Sequence, residues 1–126
     1  MKLLLDTHVL LWGFTEPDRL PATVDEMIRS PDHEIFVSAA CLWEIAIKMR
    51  SGRLRAPPDL PQKIANDPDY QLLPILAEHV WRVRELPGLH KDPFDQLLIA
   101  QALVEDMTIV THDGIIMRYG VSTIAI

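Results

Sequence analysis

Residues 2–14 read KLLLDTHVLLWGF, and the change of rhythm inside that stretch decides the fold class. Lys2–Leu5 is an apolar run too short for a helix and closed by Asp6-Thr7, as a buried strand would be. From Thr7 onward Leu10, Leu11 and Phe14 recur three or four apart, which places them on one face of a helix. Glu16-Pro17-Asp18 ends that helix. A strand that feeds directly into a helix is the building unit of an α/β fold.

The unit recurs along the chain. Leu20-Pro21-Ala22 opens a second helix, reaching about Arg29, with Val24, Met27 and Ile28 as its apolar stripe. Glu34–Ser38 is a second strand, and Ser38 suits the N-cap of a helix over 39–51 with Gly52 at its C-terminal end. Residues 53–61 form a proline-containing loop, followed by a short helix at 62–66 and an extended piece at 70–74. The spacing predicts a helix over 76–86, broken by Pro87-Gly88. Pro93–Glu105 is the clearest helix: Asp92 sits at its N-cap, Pro93 at its first position, and Leu97, Leu98, Ala100, Ala102 and Leu103 form a wide apolar face. Thr108–Thr111 is a third main strand, 113–119 a helical turn or two, and 122–126 a last strand. Short apolar strands separated by helices imply a mainly parallel sheet covered on both faces. Ligands of such sheets bind beyond the carboxyl ends of the strands, near a topological switch point.

At 126 residues the chain is expected to form a single domain, and 48% hydrophobic residues supply its core. Cys41 is the only cysteine, which excludes an intramolecular disulfide and any cysteine-based zinc site and fits a reducing, cytoplasmic setting. No apolar stretch is long enough to span a membrane, and Asp6 interrupts the first one too early for a signal peptide. Twelve basic against eighteen acidic residues give a net charge of -6, the wrong sign for holding nucleic acid by phosphate neutralisation. A nucleic-acid partner therefore requires carboxylates covered by metal and basic residues clustered locally.

The acids carry the chemistry. Asp6 follows the first strand and Asp113 follows Thr108–Thr111 by two positions, so both are expected on one rim of the sheet. Each also reads as a helix N-cap. Glu44 is the one charge within SAACLWEIAI (38–47), on a helix that reads as apolar nearly all round. Burying an unpaired carboxylate costs several kcal/mol, by order of magnitude, and Lys48 at i+4 or a metal ion are the two compensations on offer. Asp95 starts the stripe continued by Leu98, Ile99 and Ala102, where a structural residue would be hydrophobic, while Asp92 just before Pro93 reads as a cap. His8, His90 and His112 each adjoin one of these acids but are not assigned as ligands. Four carboxylates without a cysteine or histidine array make a hard-oxygen site suited to magnesium or manganese, the type of site that hydrolyses phosphodiesters.

Four stretches at these residues, LLLDTHVLLW (3–12), VSAACLWEIAIKMRSGRL (37–54), HKDPFDQLLIAQAL (90–103) and IVTHDGIIMRYGV (109–121), resemble the PIN-domain ribonucleases, specifically the VapC-like toxins of bacterial toxin–antitoxin modules. The resemblance implies a PIN-like α/β/α sandwich with a small, mainly parallel central sheet. It implies that Asp6, Glu44, Asp95 and Asp113 form a quartet binding Mg2+ or Mn2+; the mechanism expected here has Asp6 and Asp95 as direct ligands and the other two binding directly or through water. It further implies hydrolysis of RNA to 5′-phosphate and 3′-hydroxyl ends, and a cognate antitoxin protein that supplies DNA binding, since this chain shows no DNA-binding signature of its own.

Lys48, Arg50, Arg53 and Arg55, with Lys91, are the candidate RNA contacts, against the alternative that 50–55 is only a solvated loop. Ser38, Asp92 and Thr111 are candidates to support the acids from behind. Gln96 departs from the arginine many relatives carry and Cys41 from their serine, with specificity the property at stake. Trp12, Phe14 and the 39–51 helix are candidates for a homodimer or antitoxin surface, whereas Leu10, Leu11 and Trp43 read as core. Rival readings are an RNA-processing PIN nuclease, a catalytically inactive PIN-like interaction module, and a haloacid-dehalogenase-like phosphatase. The last lacks the second acid it needs at position 8, which is His8, and a late acidic pair.

Overall fold

A computed structural model describes all of residues 1–126. The chain runs β1 (Lys2–Leu5), α1 (Thr7–Thr15), a 3-10 turn (Pro17–Arg19), α2 (Ala22–Arg29), β2 (Glu34–Ser38), α3 (Ala39–Arg50) and α4 (Leu60–Asn66). It continues through β3 (Tyr70–Leu73), α5 (Ala77–Arg82), a second 3-10 turn (Val83–Glu85), α6 (Pro93–Glu105), β4 (Thr108–Thr111), α7 (Gly114–Met117) and β5 (Thr123–Ala125). The five strands form one sheet in the order β3-β2-β1-β4-β5. Every neighbouring pair is parallel, so the sheet expected to be mainly parallel is wholly so.

Burial shows why these short runs became strands. Leu3, Leu4 and Leu5 are all buried, as are Thr108 to Thr111, so the consecutive residues of both central strands are covered on both faces by flanking helices. One hydrophobic cluster of 24 residues joins these strands to Val9, Leu10 and Leu11 of α1, Val24 and Ile28 of α2, and Leu98, Ile99 and Ala102 of α6. The edge strands β3 and β5 are only partly covered. Helix starts follow local chemistry: Ser38 Oγ accepts from the Ala40 amide at 2.9 Å, and Asp92 Oδ1 accepts from Phe94 at 2.9 Å with Pro93 beside it. Gly52, at φ 74°, ends α3 in the left-handed conformation that a side chain disfavours.

Two expectations need correction. The helix predicted over 76–86 stops at Arg82 and tightens into a 3-10 turn, because Leu86 precedes Pro87 and is held extended at ψ 144°. Trp43 is not core; it is 50% exposed, against the edge of Phe94 at 4.6 Å between ring centres. On α3 the inward positions are Ala40, Cys41, Glu44 and Ile45, so the helix turns its only acid in and its tryptophan out.

Candidate metal centre

From the central β1 the chain builds β2 and β3 to one side, then returns to place β4 and β5 on the other. The switch point therefore lies between β1 and β4, and acids converge there. Asp6, the first residue beyond β1, still donates its amide to the Val110 carbonyl at 3.0 Å. Its Oδ1 accepts from the Thr7 amide at 2.7 Å, and its Oδ2 accepts from Thr111 Oγ1 at 2.6 Å. The same Thr111 hydroxyl accepts from the Asp113 amide at 2.9 Å, so the last residue of β4 positions two acids at once. Asp113 caps α7 through Oδ1, which accepts from Ile115 at 2.8 Å, and turns Oδ2 toward His90 Nε2 at 3.1 Å.

The helices supply the remaining acids. Glu44 of α3 accepts from Thr7 Oγ1 through Oε1 and from Lys48 Nζ through Oε2, each at 2.6 Å. Both compensations weighed from the sequence are thus compatible: Lys48 pairs with Glu44 and also lines the site. Asp95 of α6 lies 2.8 Å from His90 Nε2 through Oδ2. Together Asp6, Glu44, Asp92, Asp95 and Asp113 wall a cavity of about 230 Å³ with Thr7, His8, Lys48 and His112, and no lining residue is hydrophobic.

Crowded, desolvated carboxylates resist ionisation. Burial pushes the Asp6 carboxyl above its ordinary value, against the opposing bonds from Thr111 and Thr7. Asp95 is raised to about 7, first by burial and then by the charges of Asp6 and Asp92, with His90 offsetting part of it. Burial also acts upward on Asp113, but the Ile115 amide and His90 outweigh it and hold that carboxyl low. His90 is disfavoured as a cation by burial, yet Asp113, Asp95 and Asp92 together raise its pKa. Its Nδ1 accepts from the Asp92 amide at 3.2 Å, so in the neutral ring the proton sits on Nε2, between Asp95 and Asp113. The ligand-type atoms of His90, Asp95 and Asp113 lie within 4.8 Å of one another. An oxygen-rich, thiol-free wall on which Asp6 and Asp95 are both shifted upward fits a hard divalent cation.

All four acids expected at the site meet at this cavity, and Asp92 joins them. Thr111 stands directly behind two of them. Ser38 faces elsewhere: its buried hydroxyl donates to Gln101 Oε1 and caps α3. Of the basic residues, Lys48 alone lines the cavity; Arg50, Arg53, Arg55 and Lys91 are exposed outside it. Gln96 donates from Nε2 to the His90 carbonyl at 2.6 Å, and Cys41 is buried with Sγ 3.6 Å from the Leu5 carbonyl oxygen. Thr7, His8 and His112 of the cavity wall, and His90 between Asp95 and Asp113, are the participants that sequence reasoning left unassigned; the one local signal of His90 is its place beside Lys91-Asp92 at the mouth of α6.

A family model described as PIN domain matches residues 3–121. The chain belongs to the PIN-domain family. This PIN domain is 30% identical over 122 residues to Ribonuclease VapC22 of Mycobacterium tuberculosis, an alignment covering 88% of this chain and 86% of that protein. In fold it is similar to a chain in VapBC2 from Rickettsia felis bound to a DNA fragment from their promoter, with a TM-score of 0.74, 17% identity, and 99% of this chain and 98% of that chain covered. The same holds for DNA-bound VapBC from Salmonella typhimurium, at TM-score 0.74 and 16% identity, covering 99% and 98%. The PIN-like α/β architecture expected from the sequence is the architecture present. No helix of this PIN domain is long and apolar enough to cross a membrane.

Proposed function

We propose that this PIN domain is a metal-dependent endoribonuclease and the toxin of a cytoplasmic toxin–antitoxin pair, with Mg2+ or Mn2+ held by Asp6, Glu44, Asp95 and Asp113. The observation that carries the reading is the convergence of four acids, each from a different segment, on one polar cavity at the switch point of the sheet. A divalent cation held there supplies Lewis acidity, activating water for attack and neutralising charge on the phosphate. The residues of the chain do the rest. Thr111 and the Thr7 amide orient Asp6, Thr7 Oγ1 and Lys48 orient Glu44, and His90 bridges Asp95 and Asp113. Lys48 presents positive charge beside the acids, and the exposed Arg50, Arg53 and Arg55 are the further cations we assign to an RNA strand.

The kinship with Ribonuclease VapC22 supports RNA as substrate, and the fold shared with a chain in each of two VapBC assemblies supports an antitoxin partner. The exposed side of α3, with Trp43 and Ala46, is the surface we assign to that antitoxin or to a second copy in a homodimer. The test is incubation of purified protein with total RNA, with manganese or magnesium and then with chelator, beside Asp6→Asn and Asp95→Asn variants. Discrete products that require both metal and aspartates are expected. An equally inert wild type, free of antitoxin and supplied with metal, would overturn the nuclease in favour of an interaction module.

A further inference from the structure

The acidic cavity explains how a phosphate is engaged but not how a nucleotide is held. None of its lining residues is apolar, and its net charge repels a polyanion. Affinity for the rest of the strand has to come from the rim. Three aromatic rings meet there. His8 and Trp12 stand four apart on α1 and so share a helix face. His112 projects from the turn between β4 and α7, one residue before Asp113. The His8 and His112 ring centres are 5.2 Å apart at 76°, Trp12 lies 5.3 Å from His112, and the His8–Trp12 separation is 6.1 Å.

We infer that His8, Trp12 and His112 form a stacking shelf for a nucleobase next to the scissile phosphate, an inference that rests on the ribonuclease reading above. The two histidines line the cavity itself and are exposed, while Trp12 is half-buried behind them. The rings meet edge-on or tilted and not face to face, so each contact within the trio occupies at most one face of one ring. The guanidinium of Arg19 lies over the Trp12 ring, 5.1 Å from its centre, so it takes one face of the indole and brings a cation to an otherwise acidic neighbourhood. His79 and His90 are held by hydrogen bonds from their ring nitrogens, whereas His8 and His112 are placed through ring contacts. Every base has a π-face, so such a shelf holds a single strand without reading its sequence. Its short linkage to Asp6 and Asp113, two residues and one residue away, makes the position of the base and that of the phosphate interdependent.

The experiment compares a single-stranded RNA oligonucleotide bearing one cut site with the same oligonucleotide abasic at the nucleotides flanking the cut. Wild type should prefer the intact strand by about 10-fold in KM, the order that one base–aromatic stack carries. His8→Ala and His112→Ala should lose that preference, with the loss falling on KM more than kcat, and His112→Phe should restore it. Loss confined to kcat and not rescued by phenylalanine would overturn the shelf and make the histidines proton-transfer groups. Equal discrimination in all variants would also overturn it while leaving the nuclease intact.

A binding arm keeps the two readings separate. In Asp95→Asn carrying Trp43→Phe and Trp81→Phe, Trp12 is the sole tryptophan. Its fluorescence should be quenched by the intact oligonucleotide and not by a fully abasic one. Quenching without wild-type cleavage would sink the nuclease and keep the shelf; absence of quenching would sink the shelf.

Discussion

Thr111→Val removes one oxygen and nearly nothing else, and its cost can be worked from two bonds. The Thr111 hydroxyl donates to Asp6 at 2.6 Å and accepts from the Asp113 amide at 2.9 Å, and Thr111 is fully buried while Asp6 is nearly so. A hydrogen bond to a charged group contributes about 1.5–3 kcal/mol, and a neutral one about 1 kcal/mol. The two share one atom and are not additive, so the metal-free protein should lose about 2–4 kcal/mol where Asp6 is ionised. If Asp6 holds a cation, losing the group that orients it should also weaken manganese binding by about 10- to 100-fold. Denaturant titration in chelator at pH 8 reads the first effect, and calorimetric titration with manganese reads the second. Thr111→Ser keeps the oxygen and should recover most of the metal affinity. A valine variant that binds manganese within twofold of wild type would refute the placement of Thr111 behind the metal-binding acids.

Asp95 gives a pH signature. Its carboxyl is raised from 3.8 to about 7 by burial and by its acidic neighbours, so its share of stability is present below the lower value and lost as pH rises through the upper one. In chelator, wild type should lose stability between about pH 4 and 7.5 relative to Asp95→Asn, and parallel melting-temperature profiles would contradict this. Because Asp113 is shifted downward and acts with the opposite sign, the difference between the two profiles, not the wild-type slope, is the quantity to read. Ser38→Ala strips the α3 cap and the partner of buried Gln101, so it should cost about 2–3 kcal/mol in denaturant titration while manganese affinity stays unchanged. Burial pushes the Cys41 thiol up to about 12, so a disulfide reagent should label it only as fast as the protein opens; immediate stoichiometric labelling would contradict its placement.

The elements with several agreeing signals were legible to the residue. Lys2–Leu5, Glu34–Ser38, Pro93–Glu105 and Thr108–Thr111 all stand where composition, caps and breakers coincide. Legibility failed where tertiary context overrides a local pattern. Helix α3 contradicts the rule that apolar residues face inward, because Glu44 is directed into the site and Trp43 to solvent. Such inversions are characteristic of functional positions, which is why the buried acid was the better clue than the apolar run around it. His90 was illegible for another reason. It lies in a loop outside any periodic element, and although Asp92 and Asp95 are near it in sequence, Asp113 is 23 residues away, so nothing local reports the bridge between two acids. Ser38 suited both a cap and a site role on paper, and only the position of Gln101 across the interior separates them.

A capping aspartate can also face the cavity, as its oxygens show. Asp113 uses Oδ1 on the Ile115 amide, which leaves Oδ2 directed at His90 and the cavity. Asp92 uses its Oδ1 on both the Phe94 and Asp95 amides while lining the same cavity. Capping is therefore the device that aims the acid: one oxygen bound to a helix start fixes the side chain, and the other is presented without rotamer freedom left to lose. Asp6 likewise has both oxygens engaged, one by Thr7 and one by Thr111. A carboxylate oxygen retains a second lone pair when it accepts one hydrogen bond, so this engagement is compatible with a cation and would fix where a bound cation sits. The parallel strands β1 and β4 end on one rim, each followed by a helix that an aspartate caps, which brings Asp6 and Asp113 together without any long-range pattern in the sequence.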